Sequence, residues 1–301
     1  MTGKALSIDC PNCGAGQTVL GGGRVTTQVC GYCGAALDAT DAFRVLEVFA
    51  GMERPASPFR LGAESTIRGV RWTVIGTLGL LEREDGREWR WTDHMLHSPT
   101  HGYAWLTVED GHLLFTRKVR DWPDGTFLDR QALKRALARP ERDWRGRTFR
   151  YYAASDARVD FAEGAFNFRP RRGDYTFAAS LMAMTEPPEM LTYVSGGREN
   201  EVELTRYAPE AAAAFGVPAP RPEGRHPLQT EEAVPDAPFL GRWFLGLAVV
   251  SLLALFALPE QVGTGRTNAL WLFLATAVFG FAGLWLRRSG QRRWAGSDWN
   301  G

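Results

Sequence analysis

The stretch Ser65-Thr-Ile-Arg-Gly-Val-Arg-Trp-Thr-Val-Ile-Gly-Thr-Leu-Gly-Leu-Leu81 decides the fold. Ser65–Arg68 and Arg71–Leu81 alternate apolar with polar residues, the period-two pattern of a half-buried strand. Arg68-Gly69-Val70 between them is the punctuation of a tight hairpin. The same grammar continues to about Arg120. Strands are expected at Glu88–Trp91, Tyr103–Val108 and Leu113–Val119, separated by Glu84-Asp85-Gly86-Arg87 and Glu109-Asp110-Gly111-His112. Trp72, Trp89, Trp91 and Trp105 lie in these strands and are expected to fill the core of a small barrel or sandwich.

A charged stretch, Asp124 to Arg142, then reads as a solvated helix. Leu128, Leu133 and Leu137 lie on one side, and Arg130, Lys134, Arg135 and Arg139 on the other. Beyond it, strands are expected at Arg147–Ala153, Ala157–Phe161, Ala165–Arg169, Asp174–Leu181, Leu191–Val194 and Glu201–Tyr207. Two echoes of the first half appear there. Ile67-Arg68-Gly69 before Arg71-Trp72-Thr73-Val74 resembles Trp144-Arg145-Gly146 before Thr148-Phe149-Arg150-Tyr151. Leu114-Phe115-Thr116-Arg117 resembles Glu203-Leu204-Thr205-Arg206. Together they suggest two similar halves. Pro209–Phe215 reads as a last short helix closed by Gly216.

Toward the N-terminus, Cys10-Pro-Asn-Cys13-Gly and Cys30-Gly-Tyr-Cys33-Gly have the spacing of a four-thiolate zinc site. Two intervening residues let one turn aim both sulfurs at a single ion. Four thiolates close the tetrahedron, so a structural zinc is expected, with no open position for water. Gln17–Leu20 and Arg24–Val29 are expected to pair across Gly21-Gly22-Gly23, and Asp38–Met52 to hold a short helix.

At the other end, residues 239–258 and 269–286 form runs of 20 and 18 residues with one charge, Arg242, between them. Each would give roughly 27–30 Å of helix, about the thickness of a bilayer's hydrocarbon core. Arg287, Arg288, Arg292 and Arg293 follow the second run, and Arg221, Arg225 and Arg242 precede or open the first. Positive-inside counting puts both termini and the β-rich part in the cytoplasm. Neither run holds Asp, Glu, Lys or His, so an anchor is expected rather than a pore. The six prolines of Val217–Pro238 read as a semi-extended tether.

A formal net charge of +1 and a ribbon with only Lys4 and Arg24 before Arg44 exclude nucleic acid as the expected partner. The one tempting constellation is Asp93, His94, His97 and His101, a low-grade ligand or second metal site. Ser98-Pro99-Thr100 would break a helix there, so a loop with exposed histidines is the plainer expectation. No phosphate-cradling loop and no nucleophile elbow occurs.

The run Leu61-Gly…Ile67-Arg-Gly-Val-Arg-Trp72-Thr-Val-Ile-Gly76, then Glu88-Trp89…Tyr103-Ala-Trp105-Leu106…Asp110-Gly111, resembles the bacterial domain-of-unknown-function 4178 family. Pro187-Pro188-Glu-Met190-Leu191, Glu201…Tyr207 and Ala214-Phe215-Gly216 resemble that family's C-terminal end. The resemblance implies no established activity and no catalytic residues, and it hints at an envelope- or stress-related membrane assembly. The expected organisation is a zinc ribbon (1–37), a linker (38–57), a β-rich domain (58–216), a tether (217–238), two transmembrane helices (239–258 and 269–286) around an external loop (259–268), and a basic tail (287–301). The expected function is a membrane-anchored adaptor at the bacterial inner membrane, binding protein partners through the ribbon and β domain. The alternative is an enzyme, or enzyme subunit, acting on a small polyamine-like metabolite with Asp93–His101 in its site.

Overall fold

The computed structural model describes residues 6–49, 51–84, 86–183, 185–196, 198–229, 243–251, 253 and 273–284. The chain divides into two units, Met1–Gln229 with Asp298–Gly301, and Thr230–Ser297.

The first unit is mainly β. Five short strands open it: β1 (Leu6–Asp9), β2 (Gly16–Val19), β3 (Thr27–Val29), β4 (Ala35–Asp38) and β5 (Arg44–Val48). After β6 (Glu64–Ile67) come β7 (Val70–Glu84), β8 (Arg87–Ser98), β9 (Gly102–Glu109) and β10 (His112–Lys118), a four-stranded antiparallel meander. A short helix α1 (Arg130–Arg135) and β11 (Glu141–Trp144) lead to a second meander of β12 (Arg147–Phe166), β13 (Tyr175–Ala183), β14 (Met190–Gly196) and β15 (Arg198–Tyr207). Helix α2 (Glu210–Ala214) follows.

The meanders join edge to edge on both sides. β10 pairs with β15, and β7 pairs with β12, so eight strands close into a barrel with no free edge between them. The two sequence echoes turn out to be topological. Each meander is entered through a hairpin whose two turn residues both have positive φ: Arg68 (53°) and Gly69 (77°), then Arg145 (50°) and Gly146 (73°). That is the turn whose twist matches paired strands. The second echo meets itself across the β10–β15 seam, where Thr116 lies opposite Thr205 with hydroxyls 2.8 Å apart. Matching backbone bonds flank it, Ala208 N–H to Leu113 O and Val119 N–H to Val202 O, both 2.8 Å.

The outward faces are covered reciprocally. The chain after β15 lays Ala208, Ala211 and Ala212 on Trp72, Leu106 and Phe115 of the first meander. The chain after β10 lays Val119 and Leu128 on Phe149, Leu181 and Tyr193 of the second. Trp72 and Phe149, matched in the echo, are each at most 1 % exposed.

β12 is long enough to serve two sheets' worth of pairing. Val159–Gly164 closes the barrel against β7, and Gly164–Phe166 then pairs with β3. At the crossing a Cβ on Gly164 would lie 2.4 Å from the Ile75 carbonyl oxygen, and φ is 87°, so only glycine fits. Val25, Val29, Ile75, Met95 and Phe166 pack this junction. Strands β3, β4 and β5 are therefore continuous with the barrel sheet, while β1 and β2 form a two-stranded sheet of their own.

Several expectations need correction. Gly21–Gly23 do not close a hairpin, because β2 pairs with β1 and β3 with β4. The helix expected within Asp38–Met52 is β5, whose Arg44-Val-Leu-Glu-Val48 takes the open edge of β4. Three strands expected between Arg147 and Arg169 are one, β12. The tether is not free from its start: Glu223 N–H bonds Asp110 O at 2.7 Å, and Leu228 is 1 % exposed.

In the second unit, residues 243–251 and 273–284 are helical, and the Phe244 and Phe279 rings lie 5.9 Å apart. Among the described residues no helix is long and apolar enough to cross a membrane. The remaining residues of the expected spans 239–258 and 269–286, with loop 259–268 and tail 287–301, lie outside the described residues.

Candidate ligand-binding lumen and cysteine cluster

The cysteine cluster is built from two copies of one turn. Gly14 N–H bonds Cys10 O and Cys10 N–H bonds Ala15 O; Gly34 and Cys30 repeat both bonds with Cys30 O and Ala35 O. Gly14 and Gly34 have φ of 76° and 69°. Hairpins β1–β2 and β3–β4 hold the turns face to face, so the four sulfurs lie within 4.8 Å of one another. Cys10 and Cys33 Sγ are 3.8 Å apart, as are Cys13 and Cys30. A tetrahedron with metal–sulfur bonds of about 2.3 Å has edges of about 3.8 Å. The spacing therefore fits a tetrahedral metal site and is far too long for a disulfide. Burial pushes the Cys30 thiol up to about 12, while at Cys33 burial is outweighed by hydrogen bonds, that from Asn12 foremost, which bring the thiol down to about 7.

The histidine constellation does not assemble. β8 carries Asp93, His94 and His97 as strand residues, so side chains alternate faces and the loop expectation holds only for His101, exposed in the turn after Ser98. His94 is wholly buried on the outer side. It contacts Ser57 Oγ through Nε2 (2.7 Å) and Thr77 Oγ1 through Nδ1 (3.2 Å), with Phe59 edge-on. Burial holds its pKa down to about 3. The Ser57–His94 spacing is that of a nucleophile and base, yet neither residue lines a described cavity. It pins the segment after β5 to the barrel wall. His97 packs on Tyr103, and His101, in the next turn, meets Thr100 Oγ1 at 2.8 Å. Among the described residues the cysteines are the one set of three or more potential ligands close enough to share an ion.

Asp93 is the one of the four that lines the cavity inside the barrel. That cavity, of about 500 Å³, is lined from all eight strands, by alternate residues in phase with the pleat except at the β12 irregularity, where Tyr152 to Ser155 all line it. Trp89, Trp91 and Asp93 come from β8, Trp105, Thr107 and Glu109 from β9, and Glu82 from the end of β7. The opposing wall carries Ala153, Ala154, Ser155, Ala178 and Ser180, with Tyr152, Met190 and Glu203 beside them. Of the four tryptophans expected in the core, Trp72 is buried outside the barrel, Trp105 is 9 % exposed, and Trp89 and Trp91 face the cavity.

The acids are held by their surroundings. Thr107 Oγ1–H donates to Asp93 at 2.6 Å, and the Asp156 backbone N–H donates to Glu82 at 2.7 Å. Glu109 accepts no hydrogen bond from any described residue. Its neighbour is His226 Nε2 at 3.9 Å, and its side chain is 45 % exposed, onto the lumen. Burial, then the charges of Asp110, Asp93 and Glu82, push its carboxyl up to about 7. Burial likewise raises Glu82.

Residues Glu223–Pro227 run along the cavity beside Glu109 and His112. His112 Nε2 is 3.2 Å from the Glu223 carbonyl, which only accepts, so Nε2 carries the proton. Nδ1 then accepts from the Tyr207 hydroxyl at 3.2 Å, which accepts in turn from Gln229 at 3.0 Å. His226 stacks on Tyr207, and burial holds its pKa down to about 4. The strap is thus fastened through His112, Tyr207, Gln229 and His226.

Sequence reasoning missed Glu82, Glu109, His112 and His226. The signal was present: Trp89, Trp91 and Asp93, like Trp105, Thr107 and Glu109, alternate in step, and acids on the inward phase of a closed barrel mark a wet interior. Glu82 reads as a solubilising turn residue only if β7 is taken to stop at Leu81.

These features define the class: an eight-stranded closed antiparallel barrel with an internal cavity lined by acids, indoles and small residues, fused through one long strand to a four-cysteine ribbon. The family model described as a domain of unknown function (DUF4178) matches residues 60–210, about half of the chain, and the chain belongs to that family. No curated protein and no solved structure matches it.

Proposed function

We propose that this protein is a non-catalytic receptor that binds a small molecule in its barrel lumen while held at a membrane surface. One observation carries the reading. The barrel's outward faces have their own apolar covers and part of the interior is packed by Leu78, Met95 and Trp105, yet about 500 Å³ of it stays open, lined by acids and indoles. Eight strands give an interior that side chains fill or that holds one small ligand, and this volume is within the usual range for ligand pockets. A thermal-shift screen of small metabolites tests it. Stabilisation by a compound, abolished by Ala178→Phe on the small wall, supports the lumen; stabilisation that survives Ala178→Phe sinks it.

The ribbon holds structural zinc in this reading, bound by Cys10, Cys13, Cys30 and Cys33. Metal analysis should return one zinc per chain, lost in Cys30→Ser and unchanged in His97→Ala. Membrane attachment rests on the sequence runs at 239–258 and 269–286, and on Val249, Val250, Leu253, Phe273, Val278 and Phe281, each more than half exposed in the described helices. The expected site is the bacterial inner membrane with both termini cytoplasmic. Release of the chain from vesicles by carbonate would contradict the anchor.

A second reading, the adaptor, is favoured by Tyr32, which is 79 % exposed between two ribbon cysteines. It requires a protein partner whose association is lost in Tyr32→Ala while lumen binding persists. Equal recovery with both proteins removes Tyr32 from the argument.

A further inference from the structure

This inference rests on the reading of the lumen as a binding site and names what it takes. We propose that the lumen binds a small organic cation, an amine or guanidine, with its charge among Glu109, Asp93 and Glu82 and its carbon body against Trp89 and Trp91. Charge is the first argument. Seven acidic residues line the cavity and one arginine, Arg225, while the lining histidines His112 and His226 are fastened in the strap. An anion would enter against that field.

Glu109 supplies the second argument. It lines the cavity with 45 % of its side chain open to the lumen, and no described residue donates a hydrogen bond to it. A carboxylate placed so can take a charge-assisted bond from a guest. Burial and the neighbouring acids raise its pKa, which an ammonium group beside it would lower.

The spacing of the acids says what kind of cation. Among the described residues no three lumen carboxylate or imidazole ligand atoms lie within 4.8 Å of one another. One metal ion therefore cannot gather them, since oxygen ligands sit at about 2.0–2.6 Å from calcium or magnesium. A charge distributed over several ångströms can. The indole faces suit such a guest, because a cation or its polarised methylenes rest favourably on them. The small wall across the lumen leaves the room.

Calorimetric titration of the full chain in detergent, at low salt and pH 8, tests this with four probes of similar length. These are 1,4-diaminobutane, n-butylammonium, 1,4-butanediol and succinate. The diamine should bind at least about tenfold more tightly than the diol, the scale of one charge-assisted bond. Glu109→Gln should weaken the diamine by about tenfold and leave the diol unchanged. Trp91→Leu, which keeps the lumen's acids, should weaken both amines and serves if the first variant does not fold. Equal affinity for diol and diamine, or tighter succinate, overturns the cation and leaves the lumen standing as a site. Silence of all four probes also overturns the cation, and the screen with Ala178→Phe then decides the lumen separately.

Discussion

The two meanders share strand order, entry turn and outer cover, yet their inward faces differ. The first presents Trp89, Trp91, Asp93, Thr107 and Glu109; the second presents Ala153, Ala154, Ser155, Ala178 and Ser180. Outside, both bury one large aromatic at the matched position, Trp72 or Phe149. The outer cover is thus built twice, while the two inward faces differ in chemistry. Each half provides a cover for the other, and the first wall carries indoles and acids where the second carries mainly small residues, with Tyr152, Met190 and Glu203 among them.

Equal outsides predict equal penalties. Trp72→Ala and Phe149→Ala should each lower unfolding free energy by about 3–5 kcal/mol in urea, as truncation of a fully buried aromatic does. A small loss at one position and a large one at the other would break the equivalence. Next in size is His94, under the first meander's cover. Its folded pKa of about 3 lies below the unfolded value, so the unfolded chain binds the extra proton as pH falls. Stability should be complete above about pH 6.5 and fall by a few kcal/mol toward pH 3. His94→Gln should flatten that slope, and an unchanged slope would assign the acid lability elsewhere.

The insides should behave differently. Glu109 has a folded pKa of about 7, above the unfolded carboxyl, so the folded chain binds the extra proton between about pH 4.3 and 7. Stability is therefore lost as pH rises through that window and stays low above it. Because the side chain opens onto the lumen, screening reduces the effect to about 1 kcal/mol. Glu109→Gln should raise the melting temperature at pH 8 and leave it unaltered near pH 4. Smallest is Ala178→Phe, which enters existing room and should shift stability by less than about 1 kcal/mol, under the usual 1–3 kcal/mol of an overpacked core.

Much of the architecture was legible because it is local. Period two, the Arg-Gly turns and the paired Cys-x-x-Cys motifs are written in adjacent residues, and the structure bears out the mainly β chain and the clustered cysteines. The echo at Thr116 and Thr205 even marked the seam where the halves meet. What was not legible depends on closure. Whether Trp72 faces a core inside or outside the barrel is decided by the β7–β12 pairing, between residues about eighty apart in sequence. His94 and His97 look like a cluster because they are near in sequence, and the strand sends them to opposite faces. His226 joins His112 only through the strap, from a proline-rich stretch whose composition says nothing of docking.

The most direct measurement is the indole N–H spectrum of the isotope-labelled chain during titration with 1,4-diaminobutane. The Trp89 and Trp91 signals, assigned by substitution, should move and saturate together, while Trp72 and Trp144 under the outer covers stay still. Movement confined to Trp72 and Trp144, or none at saturating diamine, would contradict a lumen that recognises cations from its first meander.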